Sequence, residues 1–561
     1  MKVYEAVADA IVAEDCGAMF GLMGDGNMLV WGALGKRDFP IYSARHEASA
    51  VGMADGYSRT TGKVGVASIT WGPGLTQAAT PLVVAVRNRS SLVLVVGVQA
   101  KDSRDPHQTL DHKKFAELCG LAFHEVNSAD AAPQQIAEAF YTARVHRRPV
   151  LLNIAMDVQM EELEWDWDYR PSSEFHIAPS PMEPDPVALR RVYEALAGAE
   201  HPVLVAGRGA QLAGARDDLI RLAELSGALL ATSLPAKGMF SDQPFDIGVS
   251  GSFCGAVAEG LFAEADFVLG FGAELGHFST EGGLLYPSAE IARVDVREAP
   301  DQIGPVPGLY VRGDAALAAR HLADMFEQEG LRRTGLRTEE VAARIAAPAA
   351  ELDVPNDGLD PRRILLHLSQ ALPRNTRVVS GVGHYWGFVA QHLAIPPEAE
   401  LQIAYQFGSI AQALSQSIGM AASGDDRPTL LIEGDGSLLC HVQEIAVAVR
   451  HNLPLVMLIL NDSGFGAEVH KLKAKGFDPG LARWDDTDLV RIAEAFGAEA
   501  VVLEREDAIG DLVLGGMEGG KVLLIDARIS PSTVSDTYRK LHLGEENRAP
   551  VLRVPALEDE R

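Results

Sequence analysis

Two apolar runs in the last third of the chain each end in a glycine-bearing acidic turn, and a helical pattern joins them. Residues 429–432 lead into Glu433-Gly434-Asp435-Gly436-Ser437, residues 438–450 follow with helical spacing, and residues 454–460 lead into Asn461-Asp462-Ser463-Gly464. Strand, helix and strand in that order form a parallel pair with a crossover helix, which commits the segment to an α/β sheet covered on both faces. Asp435 and Asp462 then stand just past the carboxyl ends of two parallel strands, where open α/β sheets take their ligands. Two carboxylates side by side repel each other unless a cation lies between them. Oxygen ligands without Cys or His suit Mg²⁺ or Ca²⁺. The glycines admit close backbone approach, and Ser437 at a helix start suits a phosphate. Either turn alone would pass for an ordinary loop; the pairing reads as a metal–diphosphate site.

The same alternation of short apolar runs and helical patterns recurs throughout the 561 residues. Runs at 18–22, 64–70, 91–98 and 149–154 belong to a unit spanning 1–165. Runs at 202–206, 228–232, 267–271 and 291–296 belong to 186–330, and runs at 378–380, 429–433, 454–461 and 521–526 to 361–545. The fold class is α/β, with three consecutive domains, each a mainly parallel sheet flanked by helices. The stretch 164–186, rich in Trp, Pro and acidic residues, reads as a linker, 326–358 as a helical stretch with a Pro/Asp/Gly break, and 546–561 as an acidic tail. No short-period repeat is visible.

Charge narrows the partners. With 49 Lys and Arg against 77 Asp and Glu, the net charge of −28 repels nucleic acid and anionic membranes, so neither is expected. A small anionic ligand in a locally positive pocket remains compatible. Cys16, Cys119, Cys254 and Cys440 lie far apart without a CxxC, so no disulfide framework or zinc site is expected. No apolar run approaches the ~18 residues of a membrane span. Glu5, Asp9 and Glu14 interrupt the N-terminal apolar pattern, which reads as an amphipathic helix and not a signal peptide. The cytoplasm is the expected location.

Further landmarks lie in order along the chain. They are Arg45-His46-Glu47-Ala48 with 52–57 (Gly-Met-Ala-Asp-Gly-Tyr), Trp71-Gly72-Pro73-Gly74, Gly383-His384-Tyr385 and Gly408-Ser409-Ile410. Together with Gly434-Asp435-Gly436 and Asn461-Asp462 they resemble the thiamine-diphosphate enzymes of the acetolactate synthase and pyruvate decarboxylase superfamily over nearly the whole chain. The resemblance implies a pyrimidine-binding domain (1–165), a central domain (186–330) and a diphosphate-binding domain (361–545). It implies that Asp435, Asp462 and the Gly464 carbonyl bind Mg²⁺, which holds the cofactor diphosphate alongside Gly434, Gly436, Ser437 and Phe465. The family's second Asn is Asp462 here, which adds charge and keeps an oxygen ligand. Gly383, His384 and Tyr385 match its diphosphate-contacting turn, and Gly72 and Gly74 its Gly-Pro-Gly turn. Gly408, Ser409 and Ile410 stand where a carbonyl and an apolar wedge bend the cofactor. Glu47 would bond the aminopyrimidine ring and favour its imino tautomer, which requires a carboxyl whose pKa burial has raised. In the family that glutamate faces the cofactor of another chain, so a homodimer at least, often a homotetramer, is implied.

Three substrate-side candidates resemble different branches. Asp25, in Gly24-Asp25-Gly26-Asn27, resembles the catalytic Asp segment of pyruvate decarboxylases, and Glu468 stands where those enzymes carry a Glu. His107-Gln108 occupies the place of their His-His pair and of the synthases' Phe-Gln. The plain alternatives are a loop turn for Asp25, a surface loop for His107 and a solvated helix start for Glu468. Residues 466–473 replace the segment that shapes the second-substrate pocket of true acetolactate synthases, so housekeeping acetolactate synthesis is not expected. His470, Lys471, Lys473 and Lys475 could meet a carboxylate or a coenzyme A phosphate, or form a solvated face. The Gly207-Arg208-Gly209 turn and Asp295 could hold FAD or ADP, as in some relatives. The expected activity is 2-oxo acid decarboxylation with or without carboligation. The alternatives are a 2-hydroxyacyl-CoA lyase, an FAD-using oxidase and a non-catalytic cofactor-binding relative.

Overall fold

The computed structural model describes residues 1–543 except 101–102, 104–106, 164–166, 168, 176–179, 299–306, 348–353 and 486. The tail expected at 546–561 and part of the linker expected at 164–186 lie outside the described residues. The described residues form three six-stranded sheets, and the pairings among those strands are parallel. The expected α/β class and the three flanked sheets are borne out.

The first sheet holds β1 (Met19–Gly21), β2 (Ile41–Ser43), β3 (Gly65–Ile69), β4 (Leu92–Val98), β5 (Ala122–Val126) and β6 (Val150–Ala155) in the order β2-β1-β3-β4-β6-β5. The second holds β7 (Pro202–Ala206), β8 (Leu229–Thr232), β9 (Asp246–Val249), β10 (Phe267–Phe271), β11 (Glu290–Asp295) and β12 (Leu309–Arg312), in the order β12-β11-β10-β7-β8-β9. The third holds β13 (Arg377–Ser380), β14 (Glu400–Ile403), β15 (Thr429–Gly434), β16 (Leu455–Asn461), β17 (Glu499–Val502) and β18 (Val522–Arg528), in the order β14-β13-β15-β16-β18-β17. The first and third sheets therefore share one topology, a repeat of architecture that no sequence period announces.

The apolar runs mark the inner strands of every sheet and miss the outer ones: β2, β5, β9, β12, β14 and β17 are all edge strands. Each is three to five residues long, and most are largely half-buried, though β14 is buried at three of its four positions; none reads as a long apolar run. The helix expected over 438–450 is also interrupted. It splits into Asp435–Leu439 and Ile445–Arg450 around His441, whose backbone leaves the helical region (φ −145°) as its side chain turns back towards Glu433.

The first and third domains share a core. Helix Glu47–Thr61 lies against helix Ala413–Ala421, and Phe20, Val51, Met53 and Leu94 join Leu414, Ile418, Leu438 and Met457 in one apolar cluster. The two helix backbones touch: a Cβ on Gly56 would strike the Gln416 carbonyl, and one on Gly419 the Met53 carbonyl. Buried Asp55 seals the junction, accepting from Asn88 Nδ2 (3.0 Å) and Ser90 Oγ of its own domain and from Gln416 Nε2 (2.9 Å) of the third. The central domain has its own clusters and meets the third through Phe253 against Trp386, 4.7 Å between ring centres. Among the described residues no helix is long and apolar enough to cross a membrane.

Candidate functional site

In the third sheet the winding reverses between β13 and β15, and the loops leaving their carboxyl ends diverge there. They and the loop after β16 enclose a pocket lined by Gly383, His384, Tyr385, Ile410, residues 434–437, Asp462 and residues 464–468. Asp435 opens a short helix directly off β15, and Asp462 follows the last residue of β16. Burial, then the charge of Asp462, pushes the Asp435 carboxyl up to about 8. Burial pushes Asp462 up to about 6, against the pull of Arg483. Asp435 Oδ2 is buried without a hydrogen-bond partner. Two mutually repelling carboxylates with an oxygen to spare fit a hard divalent cation. Among the described residues no group of three His, Cys, Asp or Glu side chains could hold a metal ion, so the acidic pair supplies two carboxylates and no third ligand of those types.

The walls explain the local sequence. Asn461 fixes the second turn, donating to Asp526 Oδ1 (2.9 Å) and accepting from Ser463 N–H (3.1 Å). A Cβ on Gly466 would run into Asp462 Oδ2. The Tyr385 ring lies in a slot left by Gly381, Gly383 and Gly434, where added Cβ atoms would meet it, and its hydroxyl is buried without a partner. His384 is buried and neutral: desolvation and neighbouring His470 hold its pKa down to about 3, and its Nε2 accepts from Ser535 N–H at 3.1 Å. Phe465 stacks edge-on with Trp484 at 5.0 Å beside Gly436. Glu468 lines the pocket, exposed on its outer side and paired with Lys471 at 3.5 Å. Ile410 reaches the pocket wall after the turn through Gly408 and Ser409. Ser437 Oγ donates to Glu433 Oε1 (2.6 Å) and accepts from Ala411 N–H (2.9 Å).

The other candidates lie on the segments that follow the inner and neighbouring strands of the first sheet, Asp25 after β1, Glu47 after β2, Gly72 and Gly74 after β3, and His107 with Gln108 after β4. Glu47 starts its helix behind His46, whose Nδ1 accepts from Ala48 N–H, and stands half-buried beside Gly74. A Cβ at Gly74 would come within 3.4 Å of the Glu47 carboxylate, and one at Gly72 within 2.7 Å of the Gln108 carbonyl. Asp25 is exposed on a loop that Asn27 fixes through Gly24 N–H (2.8 Å) and Ser68 Oγ (3.0 Å). His107 lies exposed on the turn before Gln108. None of Asp25, Glu47, His107 or Gln108 lines the third-domain pocket of its own chain.

Comparison with known proteins bears on all three domains. Family profiles described as "Thiamine pyrophosphate enzyme" match the N-terminal TPP binding domain at 1–116, the central domain at 189–322 and the C-terminal TPP binding domain at 381–527. The chain belongs to the thiamine pyrophosphate enzyme superfamily. It is 27% identical to a sulfoacetaldehyde acetyltransferase of Alcaligenes xylosoxydans xylosoxydans, over 96% of this chain and 95% of that one. It is 24% identical to a probable acetolactate synthase large subunit of Methanococcus aeolicus (95% and 93%) and 28% identical to a probable 2-ketoarginine decarboxylase of Pseudomonas aeruginosa (91% of each).

In this thiamine pyrophosphate enzyme the central-domain candidates are engaged by protein. The Gly207-Arg208-Gly209 turn packs on Gly272 and Ala273, so closely that a Cβ at Gly207 would meet Ala273 Cα at 2.5 Å. Asp295 is gripped by Arg297 (2.7 Å) and Arg293 (3.2 Å). Sequence reasoning missed the buried polar groups behind the pocket, Glu433, His441 and Glu444. Glu444 accepts from Arg45 N–H (3.1 Å), two residues before Glu47, and burial raises its pKa. A charged residue inside the apolar run 429–433 was the available signal for Glu433; Trp484 offered none.

Proposed function

We propose that this chain is a magnesium- and thiamine-diphosphate-dependent lyase or transferase acting beside a carbonyl, with 2-oxo acid decarboxylation, alone or followed by carboligation, as its reaction. The observation that carries the metal is the pairing of buried Asp435, whose Oδ2 has no partner, with half-buried Asp462. Asp435, Asp462 and the Gly464 carbonyl would hold Mg²⁺, and the backbone of 434–437 with 383–385 would surround the diphosphate. When bound, thiamine diphosphate supplies the nucleophilic carbon and the electron sink that C–C cleavage next to a carbonyl requires. The protein binds, bends and shields. Ile410 stands at the wall as the wedge, and Glu47 offers a carboxyl to hold and exchange a proton with the pyrimidine. Asp25, His107, Gln108 and Glu468 would face the substrate and relay protons.

Glu47 lines no part of its own chain's pocket, and the Asp25 loop and Phe465 stay exposed. A second copy brought face to face would complete both sites, so the functional unit is at least a homodimer.

The test is CO₂ release from small, branched, aromatic and guanidino 2-oxo acids, with and without thiamine diphosphate and Mg²⁺. 2-Ketoarginine, named by one relative, belongs in the panel; sulfoacetaldehyde, named by another, has no carboxyl to lose and is assayed separately for loss of its sulfonate group. Cofactor-dependent release is the expected result, and aldehyde against hydroxyketone product separates decarboxylase from carboligase. No turnover of any compound by protein that binds the cofactor would overturn the 2-oxo acid reading.

A further inference from the structure

We infer that Glu433 and Ser437 are positioning residues that clamp the wedge segment 407–411 to the diphosphate-binding turn, so that the Ser437 hydroxyl serves the wedge and not the phosphates. The inference rests on the reading of this pocket as the cofactor site.

Glu433 lies near the end of an inner strand and is completely buried. A carboxylate there persists only when its oxygens are satisfied. One oxygen accepts from Ser437 Oγ at 2.6 Å and the other meets His441 Nε2 at 3.4 Å. A hydroxyl has one hydrogen, and in Ser437 it is spent on Glu433. Phosphate oxygens only accept, so this hydroxyl has nothing left to give them. Its oxygen accepts instead, from Ala411 N–H at 2.9 Å.

The segment that bond holds is strained. Phe407 (φ +66°) and Ala411 (φ +63°) occupy the left-handed region although neither is glycine. Such residues stay put only where their surroundings hold them. On one side Arg87 of the first domain stacks on the Phe407 ring at 4.7 Å. On the other, Ser437 holds Ala411, and Ile410 lies between the two anchors at the pocket wall. The distance between the diphosphate end of the pocket and its wedge is thus fixed through Glu433.

The test separates phosphate binding from positioning. Binding of inorganic pyrophosphate with Mg²⁺, and of thiamine diphosphate with Mg²⁺, is measured by calorimetry for wild type, Ser437→Ala, Ser437→Cys, Ser437→Thr and Glu433→Gln. Amide hydrogen exchange across 405–412 is followed by mass spectrometry in the cofactor-free protein. Ser437→Ala and the isosteric, weakly bonding Ser437→Cys should keep pyrophosphate affinity within about twofold, lose about tenfold or more in thiamine diphosphate affinity, and exchange faster at 405–412. Ser437→Thr restores the hydroxyl, and Glu433→Gln keeps an acceptor for it, so both should stay near wild type. A parallel loss of both affinities would make Ser437 a phosphate ligand and overturn the clamp, as would unchanged exchange. If Ser437→Ala does not fold, Ser437→Cys decides. A wild type that binds neither ligand would sink the cofactor reading, while exchange in the ligand-free variants still decides the clamp.

Discussion

Asp435 and Asp462 are held against their own repulsion, and that makes them ready for a cation. In metal-free protein the folded Asp435 keeps its proton up to about pH 8, far above the roughly 4 of an unfolded Asp. This favourable term is fully present below the unfolded value and is lost as pH rises towards the folded one. Asp435→Asn removes the loss. At pH 8 the metal-free variant should therefore gain roughly 1–3 kcal/mol over wild type. It should also lack the rise in melting temperature that Mg²⁺ with pyrophosphate gives wild type; scanning calorimetry reads both. Glu47→Gln keeps shape but cannot exchange a proton. Turnover should fall about 10²–10⁴-fold while calorimetric affinity for thiamine diphosphate changes little. The acidic pair could be found in the sequence because both carboxylates sit inside glycine turns at strand ends. Glu433 stood in plain view, but Ala411, 22 positions before it in number, reaches its clamp only through the fold.

At the scale of elements, inner strands announce themselves and edges do not. β16 is buried at all seven positions and reads as one apolar run; β2, half-buried throughout, does not. The contact between helices Glu47–Thr61 and Ala413–Ala421 was equally hidden, because its signal is glycine, which also marks turns and caps. Here Gly56 and Gly419 let two backbones meet. Gly56→Ala or Gly419→Ala should cost about 1–3 kcal/mol in urea unfolding. Gly515→Ala, in helix Ile509–Gly519 with nothing within 4 Å of the added atom, should gain about 0.5–1 kcal/mol. Equal effects at the two kinds of site would contradict close packing as the reason for the glycines.

Across the whole molecule, the candidates divide into two groups on matching edges of sheets with identical strand order. Their order in the chain was legible, and the family resemblance implied their division between protomers; periodicity alone carries no information about which domains face each other. If each site takes Glu47 from one protomer and Asp435 from the other, two dead variants should complement. Mixing Glu47→Gln with Asp435→Ala, after dissociation and reassociation, should restore about a quarter of wild-type activity, since about half the dimers are mixed and each mixed dimer carries one intact site. Absence of any recovery, with mixed dimers demonstrated, would place both residues of a site on one chain.

The shared core also imposes a timetable on biosynthesis. Helix Glu47–Thr61 leaves the ribosome long before helix Ala413–Ala421, its packing partner, exists. At ordinary elongation rates the wait is on the order of tens of seconds. During it the central domain, whose apolar clusters draw on its own residues, can fold to completion. The first domain must meanwhile carry an uncovered sticky face, which makes the nascent chain a client for chaperones until its last third has been made.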